Sequence, residues 1–356
     1  MTTQTQSIDE TRLNALVGNM VTELGAAASG ALILVGDQLG LYQALSEHGP
    51  ATSEELADRT GTAERYVREW LSNQAASGYI DYDAGQGRFS LSPEQAAVFA
   101  DPDSPVLLTG GYYSIGSIYK GVDTLTDCFR SGAGIGWGDH DGCLFCGVAK
   151  FFRPSYRASL VQEWLPALDG VVDTLERGAR VADVGCGFGS STLIMAEAFP
   201  RTRFTGYDFH AHSIEHAREE AHKAGLDNVR FEVARAKDYP GRGYDLVTFF
   251  DCLHDMGDPV GAAAHVHETL AEDGTWMLVE PAAGESLADN LNPVSRAYYA
   301  FSTTVCTPTS LSQEVGAALG AQAGEQRLRS VVGEAGFSRS RVAAKTPFNL
   351  IIEARP

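Results

Sequence analysis

The feature that most constrains the fold is the glycine-rich segment at residues 181–189, which reads VADVGCGFG. Its apolar first half predicts a short buried strand, and Gly185, Gly187 and Gly189 follow at alternate positions. Glycine has no Cβ and tolerates positive φ, so such a turn lets the main chain approach a ligand closely. The segment therefore predicts an α/β fold that binds a ligand where this strand ends.

Two carboxylates accompany the glycine turn. Asp183 lies within the predicted strand, and Asp208 ends the next one, where an acid can hydrogen-bond a ribose diol. This spacing fits NAD as well as S-adenosylmethionine. The order Gly-x-Gly-x-Gly, followed by Ser190, departs from the Gly-x-Gly-x-x-Gly of dinucleotide sites. The structural alternative is a glycine turn that only packs a helix on a strand.

Residues 177–356 alternate between strand and helix patterns, which predicts a parallel sheet with helices on both faces. The last two strands are expected to form an antiparallel hairpin at the sheet edge. The predicted strands are 180–184, 203–208, 229–233, 245–250, 275–279, 341–344 and 349–353, and the predicted helices are 190–198, 212–224, 259–270 and 326–335.

The pattern acid-x-Gly-x-Gly-x-Gly resembles motif I of class I S-adenosylmethionine-dependent methyltransferases. Residues 231–238, 244–251 and 270–275 resemble later segments of that family in the same order, so the resemblance covers about half the chain. It implies a Rossmann-like seven-stranded sheet with S-adenosylmethionine as cofactor. Arg235 departs from the family, which often has an acid there.

The resemblance also assigns residues to the cofactor. It implies that Asp183 positions the methionine amino end, that Gly185 and Gly187 lie under the cofactor, and that Asp208 holds the ribose. The complete set of expected cofactor-binding residues is Asp183, Gly185, Gly187, Gly189, Asp208, Phe209, Ala236, Lys237 and Asp251.

A histidine follows the fourth predicted strand of this region, in the segment CLHDM at residues 252–256. The segment resembles the His-Asp-Trp motif of O-methyltransferases that carry an N-terminal winged-helix dimerisation domain, with Met256 in place of the tryptophan. The resemblance implies that His254 is the general base, and Glu280 is expected to orient its imidazole. The alternative is that His254 caps the following helix or hydrogen-bonds the backbone.

The amino-terminal region has the pattern of a mainly helical winged helix. Helices are expected at 54–60, with Ser53 as N-cap, and at 63–76, and a hairpin at 80–83 and 88–91. Between residues 10 and 94 there are twelve acidic residues and five arginines, which disfavours contact with a phosphate backbone. We therefore expect a homodimerisation domain at residues 1–100 without nucleic-acid binding. A winged-helix regulator that senses the cofactor is the alternative, since the actinobacterial subgroup that the chain most resembles is often labelled as transcriptional regulators.

Residues 101–176 are rich in aromatic residues and glycine, and we expect a helical linker that caps the substrate site, before a cofactor-binding domain at 177–356. Aromatic side chains suit a flat acceptor, although packing alone also explains them. The expected substrate residues are Tyr112, Tyr113, Trp137, Phe152, Tyr156, Tyr298 and Tyr299.

Composition excludes several classes of protein. Acidic residues outnumber Lys and Arg by 46 to 27, a formal net charge of −19. We expect neither a membrane span nor a secretory leader, and the six cysteines suit a reduced, cytoplasmic setting. His140, Cys143 and Cys146 have metal-like spacing but no evident fourth ligand, so no metal is expected. The sequence thus predicts O-methylation of a small aromatic or polyketide-like acceptor, with N-, C- or metalloid methylation as alternatives.

Overall fold

The computed structural model describes residues 8–356; residues 1–7, the start of the predicted first domain, lie outside the described residues. The chain divides into two compact units, Met1–Tyr113 and Ser114–Pro356. The first boundary therefore falls after the predicted one at residue 100. Residues 114–176, predicted as part of a separate linker, belong to the second unit.

The first unit is mainly helical and contains the predicted hairpin. Its core holds Ile33, Tyr42, Leu56 and Trp70, and the Tyr42 hydroxyl donates to Gln74 Oε1 over 2.6 Å. Its elements are α1 (Glu10–Gln38), α2 (Leu41–His48), α3 (Ser53–Thr60), α4 (Glu64–Ala76), β1 (Asp81–Asp83), β2 (Arg88–Ser90) and α5 (Pro93–Phe99).

Two details of this unit correct the sequence predictions. Thr52, not Ser53, is the N-cap of α3, because the Thr52 and Glu55 side chains form a reciprocal capping box. The structure adds a 29-residue helix, α1, whose bounds the sequence analysis did not predict; by length and composition this helix could cross a membrane. Only 17% of the most apolar 18-residue stretch of α1 is buried. The sequence analysis missed it because glycines and polar residues interrupt its apolar runs.

The second unit contains a seven-stranded sheet with the predicted strands. Its order is β5-β4-β3-β6-β7-β9-β8, and β9 runs antiparallel to both of its neighbours. The strands are β3 (Arg180–Val184), β4 (Arg203–Asp208), β5 (Val229–Val233), β6 (Tyr244–Phe250), β7 (Leu270–Pro281), β8 (Arg339–Lys345) and β9 (Asn349–Arg355). β7 begins earlier than predicted because Leu270 already pairs with Tyr244, ahead of a register shift.

Helices cover both faces of this sheet. The helices from residue 109 onward are α6 (Thr109–Lys120, which begins in the first unit), α7 (Val122–Ser131), α8 (Cys143–Ser159), α9 (Val171–Arg177), α10 (Ser190–Ala198), α11 (Ala211–Lys223), α12 (Pro259–Thr269), α13 (Pro293–Phe301), α14 (Thr307–Leu311) and α15 (Gly324–Glu334). Successive side chains of β7 alternate between the faces. Trp276 and Leu278 pack with α12 and α15, whereas Met277 and Val279 pack with α9 and α10. Burial on both faces explains the continuous apolar sequence of this strand.

Candidate functional site

A cavity of about 540 Å³ lies in the second unit, where β3, β4 and β6 end. The glycine turn after β3 forms one side, together with Asp208 at the end of β4. The other sides come from α8, the residues after β5 and β6, and α14 with the segment that follows it. Open α/β sheets bind ligands at this edge, so the cavity is the candidate functional site.

The three glycines of the turn all have positive φ, but each meets a different environment. A Cβ on Gly185 would lie 2.7 Å from Cys252 Sγ, and one on Gly189 would lie 2.7 Å from Phe231 Cζ. A Cβ on Gly187 would meet nothing within 4 Å. Gly185 and Gly187 line the cavity. Gly185 and Gly189 therefore allow close packing, while Gly187 leaves open space for a ligand.

Asp208 connects the glycine turn to the cavity. Its Oδ2 accepts a hydrogen bond from Gly187 N over 2.9 Å, and its Oδ1 accepts one from His210 N over 2.8 Å. Burial raises the pKa of this carboxyl. The next residue, Phe209, also lines the cavity and leaves half of its surface exposed. A carboxylate and an aromatic ring are thus adjacent at the cavity edge.

Asp183 does not line the cavity in the described structure. Its Oδ2 accepts from the Ser191 and Thr192 hydroxyls over 2.7 and 2.6 Å, and its Oδ1 accepts from Thr248 over 3.0 Å. Burial raises its pKa to about 6 despite these bonds. Asp183 thus ties β3 to α10 and β6. The family resemblance had instead implied that Asp183 positions the methionine amino end of the cofactor.

Asp251 lines the cavity with an unusual backbone, at φ 50°. Its Oδ2 accepts from the Tyr156 hydroxyl and its Oδ1 from Asn349 Nδ2, each over 2.9 Å. Burial, and secondly the charge of Glu280, raises its pKa to about 7. Positive φ in a residue other than glycine costs energy and concentrates at functional sites. Asp251 is therefore a buried carboxyl held in place at the cavity lining.

Ala236 and Lys237 also line the cavity, as does Arg235. Lys237 Nζ lies 2.7 Å from Asp258 Oδ2 and 3.5 Å from Glu314 Oε2. Sequence reasoning missed Asp258, Thr309, Ser312, Gln313 and Glu314, which also line the cavity, because no local motif signals that they approach it.

His254 is buried and lies behind the cavity lining. Its Nδ1 is 2.5 Å from Glu280 Oε2, while Leu253 N donates to Glu280 Oε1 over 2.8 Å. Burial lowers the pKa of His254, but the charges of Glu280 and Asp255 outweigh it and raise the pKa well above its ordinary value. The predicted partnership with Glu280 is present. The alternative role as a helix cap is wrong, since the N-cap of α12 is Asp258.

The structure places the predicted substrate residues in three groups. Trp137, Phe152 and Tyr156 line the cavity, and we call them the aromatic wall. Tyr298 is buried and donates to Phe348 O over 2.9 Å; neither it nor Tyr299 is among the lining residues in the described part of the chain. Tyr112 and Tyr113 belong to the first unit, where the Tyr113 hydroxyl donates to Asp37 over 2.6 Å. Sequence reasoning missed Phe145 and Phe250, which also line the cavity.

Two family models match the chain. Residues 175–336 match a model described as a methyltransferase domain, and residues 27–100 match one described as an Rv2258c-like winged HTH domain. The chain is 26% identical to a mitomycin biosynthesis 6-O-methyltransferase of Streptomyces lavendulae, over 64% of this chain and 66% of the relative. It spans about half the length, or less, of other curated relatives that match it.

Solved structures show the same fold over nearly the whole chain. The mitomycin 7-O-methyltransferase MmcR superposes with a TM-score of 0.68 at 22% identity, covering 97% of this chain and 100% of that one. Human N-acetylserotonin methyltransferase in complex with S-adenosylmethionine superposes with a TM-score of 0.68 at 17% identity, covering 98% and 99%.

These matches identify a winged HTH domain at residues 27–100 and a methyltransferase domain at residues 175–336. The human N-acetylserotonin methyltransferase structure is in complex with the cofactor S-adenosylmethionine. The open space at Gly187 and the adjacent Asp208 carboxylate fit that cofactor.

Proposed function

We propose that this protein is an S-adenosylmethionine-dependent O-methyltransferase for a small aromatic, polyketide-like acceptor, acting as a cytoplasmic homodimer. The observation that carries the proposal is that one cavity combines the glycine turn and Asp208 with the aromatic wall. A nucleoside site and an apolar site for a flat molecule therefore share one space, as transfer between two bound molecules requires. Relatives named for mitomycin and rifamycin methylation support a natural-product acceptor.

Each residue proposed to hold the cofactor is assigned to one part of that molecule. Asp208 accepts hydrogen bonds from the ribose diol, Gly185 and Gly187 offer bare main chain, and Ala236 and Lys237 border the adenine. Asp251 takes the methionine ammonium, because it lines the cavity, whereas Asp183 lies outside the lining and accepts from three hydroxyls. When bound, the cofactor supplies an electrophilic methyl group on a sulfonium sulfur.

His254 is proposed to take the acceptor's proton. Glu280 holds Nδ1, so Nε2 is the nitrogen available for that transfer. Asp255 and Met256 line the cavity in front of the imidazole, so they must move aside when the acceptor enters. The raised pKa of His254 means that Nε2 must first release its own proton.

An aromatic acceptor hydroxyl suits this arrangement. A phenol has a pKa of about 10, low enough for a buried imidazole–carboxylate pair to deprotonate it during transfer. Its ring can stack against the aromatic wall, which supplies large apolar contact area.

The experiment incubates the full-length protein with a cofactor carrying an isotopically labelled methyl group and a panel of phenolic polyketides. Mass spectrometry should detect a labelled methyl ether. His254→Ala should reduce the rate on the order of a hundredfold, since that is the typical contribution of a general base. His222→Ala, at an exposed histidine on α11, serves as the matched control. Unchanged turnover in His254→Ala would reject the base, and a methyl group on nitrogen or carbon would reject O-methylation.

A second candidate, a DNA-binding regulator, is favoured by the winged HTH match at residues 27–100. The charges of that domain argue against it. Arg65 and Arg68 of α4 pair with Glu69 and Glu64, and Arg88 of the hairpin pairs with Glu55. Gel shifts with the full-length protein and genomic fragments should show no salt-sensitive binding. Tight, salt-sensitive binding would favour the regulator.

A further inference from the structure

A cluster behind the cavity lining brings together three side chains of the types that bind transition metals. His254 and Asp255 lie in the single 3-10 turn after β6, and Cys306 ends the π-helical turn after α13. One ligand atom from each lies within 4.8 Å of the other two. His254 and Cys306 are only 4% and 6% exposed. Long-range folding therefore assembles a compact nitrogen, oxygen and sulfur donor set.

The Cys306 thiol is within hydrogen-bonding reach of both His254 and Asp255, but hydrogen bonding within this His254–Asp255–Cys306 cluster is incomplete. His254 Nε2 lies 3.3 Å from Asp255 Oδ1, yet Oδ1 is fully buried and has no hydrogen-bond partner in the described part of the chain. A buried carboxylate oxygen without a partner is costly, and an ion is one of the few explanations for it. The two atoms are close together without being aligned as donor and acceptor. A cation between them would satisfy both.

The surroundings of the imidazole also match a metal site. Histidine ligands commonly donate their second ring N–H to a carboxylate, which fixes the tautomer and raises the basicity of the ligand. Glu280 Oε2 lies 2.5 Å from His254 Nδ1. Nitrogen, sulfur and carboxylate ligands suit Zn²⁺, whereas Mg²⁺ and Ca²⁺ prefer oxygen alone.

We propose that His254, Asp255 and Cys306 bind one Zn²⁺, and that the bound metal switches off methyl transfer. Binding requires a thiolate at Cys306 and a neutral imidazole at His254, so the protons on these groups pass to solvent. The lone pair of Nε2 is then shared with zinc and cannot accept the acceptor's proton. The metal reaches the cluster from the cavity, which Asp255 lines. A tetrahedral ion keeps one position for water.

The binding claim stands by itself, and the switching claim rests on the proposed function. The sequence also has metal-like spacing at His140, Cys143 and Cys146. Among residues 8–356, the ligand atoms of these three side chains do not come close enough together to hold a metal ion. Cys146 is exposed and lies outside the cavity lining, so Cys146→Ser is the matched control for Cys306→Ser.

The test uses metal-free full-length protein titrated with Zn²⁺ by calorimetry and with Co²⁺ by absorption spectroscopy. We expect one equivalent of metal and a thiolate-to-cobalt charge-transfer band that Cys306→Ser abolishes and Cys146→Ser retains. Glu280→Gln should weaken Zn²⁺ binding about 10- to 100-fold, as loss of an outer-sphere carboxylate does. Circular dichroism checks that each variant is folded, and Cys306→Ala provides a second variant if Cys306→Ser is not.

The outcomes separate the two claims. Absence of stoichiometric binding, or a band that survives both Cys306 variants, overturns the zinc site. Binding that leaves labelled-methyl transfer unchanged overturns the switch. Binding to a protein that is inactive even when metal-free rejects the proposed function and leaves the zinc site in place.

Discussion

At the scale of single residues, glycines that look equivalent in the sequence have different roles. Gly187 borders open space in the cavity, whereas Gly189 faces Phe231. The alternate spacing predicted that the turn binds a ligand. It could not show which glycine meets the ligand, because Phe231 and Cys252 reach the turn from distant parts of the chain.

Two alanine substitutions should separate these roles. Gly187→Ala should lower the free energy of unfolding by about 1 kcal/mol, because Gly187 has a positive φ that alanine disfavours. It should also weaken cofactor binding by about tenfold or more, since the added Cβ enters the cavity. Gly189→Ala should cost more stability, by a further ~1–3 kcal/mol, because its Cβ would overlap Phe231. Thermal unfolding and calorimetric titration measure the two quantities. Wild-type cofactor affinity in Gly187→Ala would contradict this assignment.

Asp251 gives a prediction of pH dependence. With a pKa of about 7, its carboxyl is neutral below that pH and charged above it. As the proposed partner of the methionine ammonium, it should make cofactor affinity rise as the pH increases through about 7. Burial also raises the pKa of Asp183, to about 6, and the pKa of Asp208.

Asp251→Asn should flatten this rise, while the exposed control Asp127→Asn should keep it. Calorimetric titrations from pH 6 to pH 8, about one unit on either side of 7, measure the effect. An unchanged pH profile in Asp251→Asn would assign the ammonium to another group.

At the scale of elements, the strands of the second unit were predictable because apolar runs between turns carry a strong local signal. The hairpin β8–β9 and the position of the His254 segment after β6 were predicted for the same reason. The connections that build the cavity were less predictable. α8 contains Pro154 and continues into a π-helical turn. Neither a proline within a helix nor a π-helical turn follows the regular apolar spacing from which helices are predicted.

The start of α3 provides a prediction for the first unit. Thr52→Ala removes the capping box and should lower the free energy of unfolding by about 1 kcal/mol. Ser46→Ala, at an exposed position on α2, should change stability by less than about 0.5 kcal/mol. Denaturant titration followed by circular dichroism measures both. Equal effects of the two substitutions would show that the cap contributes nothing.

At the scale of the whole molecule, α1 leaves an unusual apolar surface in the first unit. Exposed apolar side chains that are grouped on one surface often mark a protein–protein association site. The exposed apolar side chains of α1 include Leu13, Leu16, Val17, Met20, Val21 and Leu24.

We therefore expect the protein to sediment as a dimer, and Leu16→Lys combined with Leu24→Lys to sediment as a monomer. Phe129→Lys, at an exposed apolar position on α7, should remain dimeric. Analytical ultracentrifugation distinguishes these states. A monomeric wild-type protein that instead binds lipid vesicles would contradict dimerisation and identify α1 as a membrane contact.

The claim that this cavity holds the methyl donor is tested most directly by calorimetry. The wild-type protein and Asp208→Asn are each titrated with S-adenosylhomocysteine, the demethylated cofactor. We expect one binding site per chain in the wild type. Binding to Asp208→Asn should be about tenfold weaker or more, because the charge-assisted hydrogen bond between the Asp208 carboxylate and the ribose is lost. No binding to a folded wild-type protein, or equal binding by both proteins, would contradict the claim that this cavity holds the methyl donor.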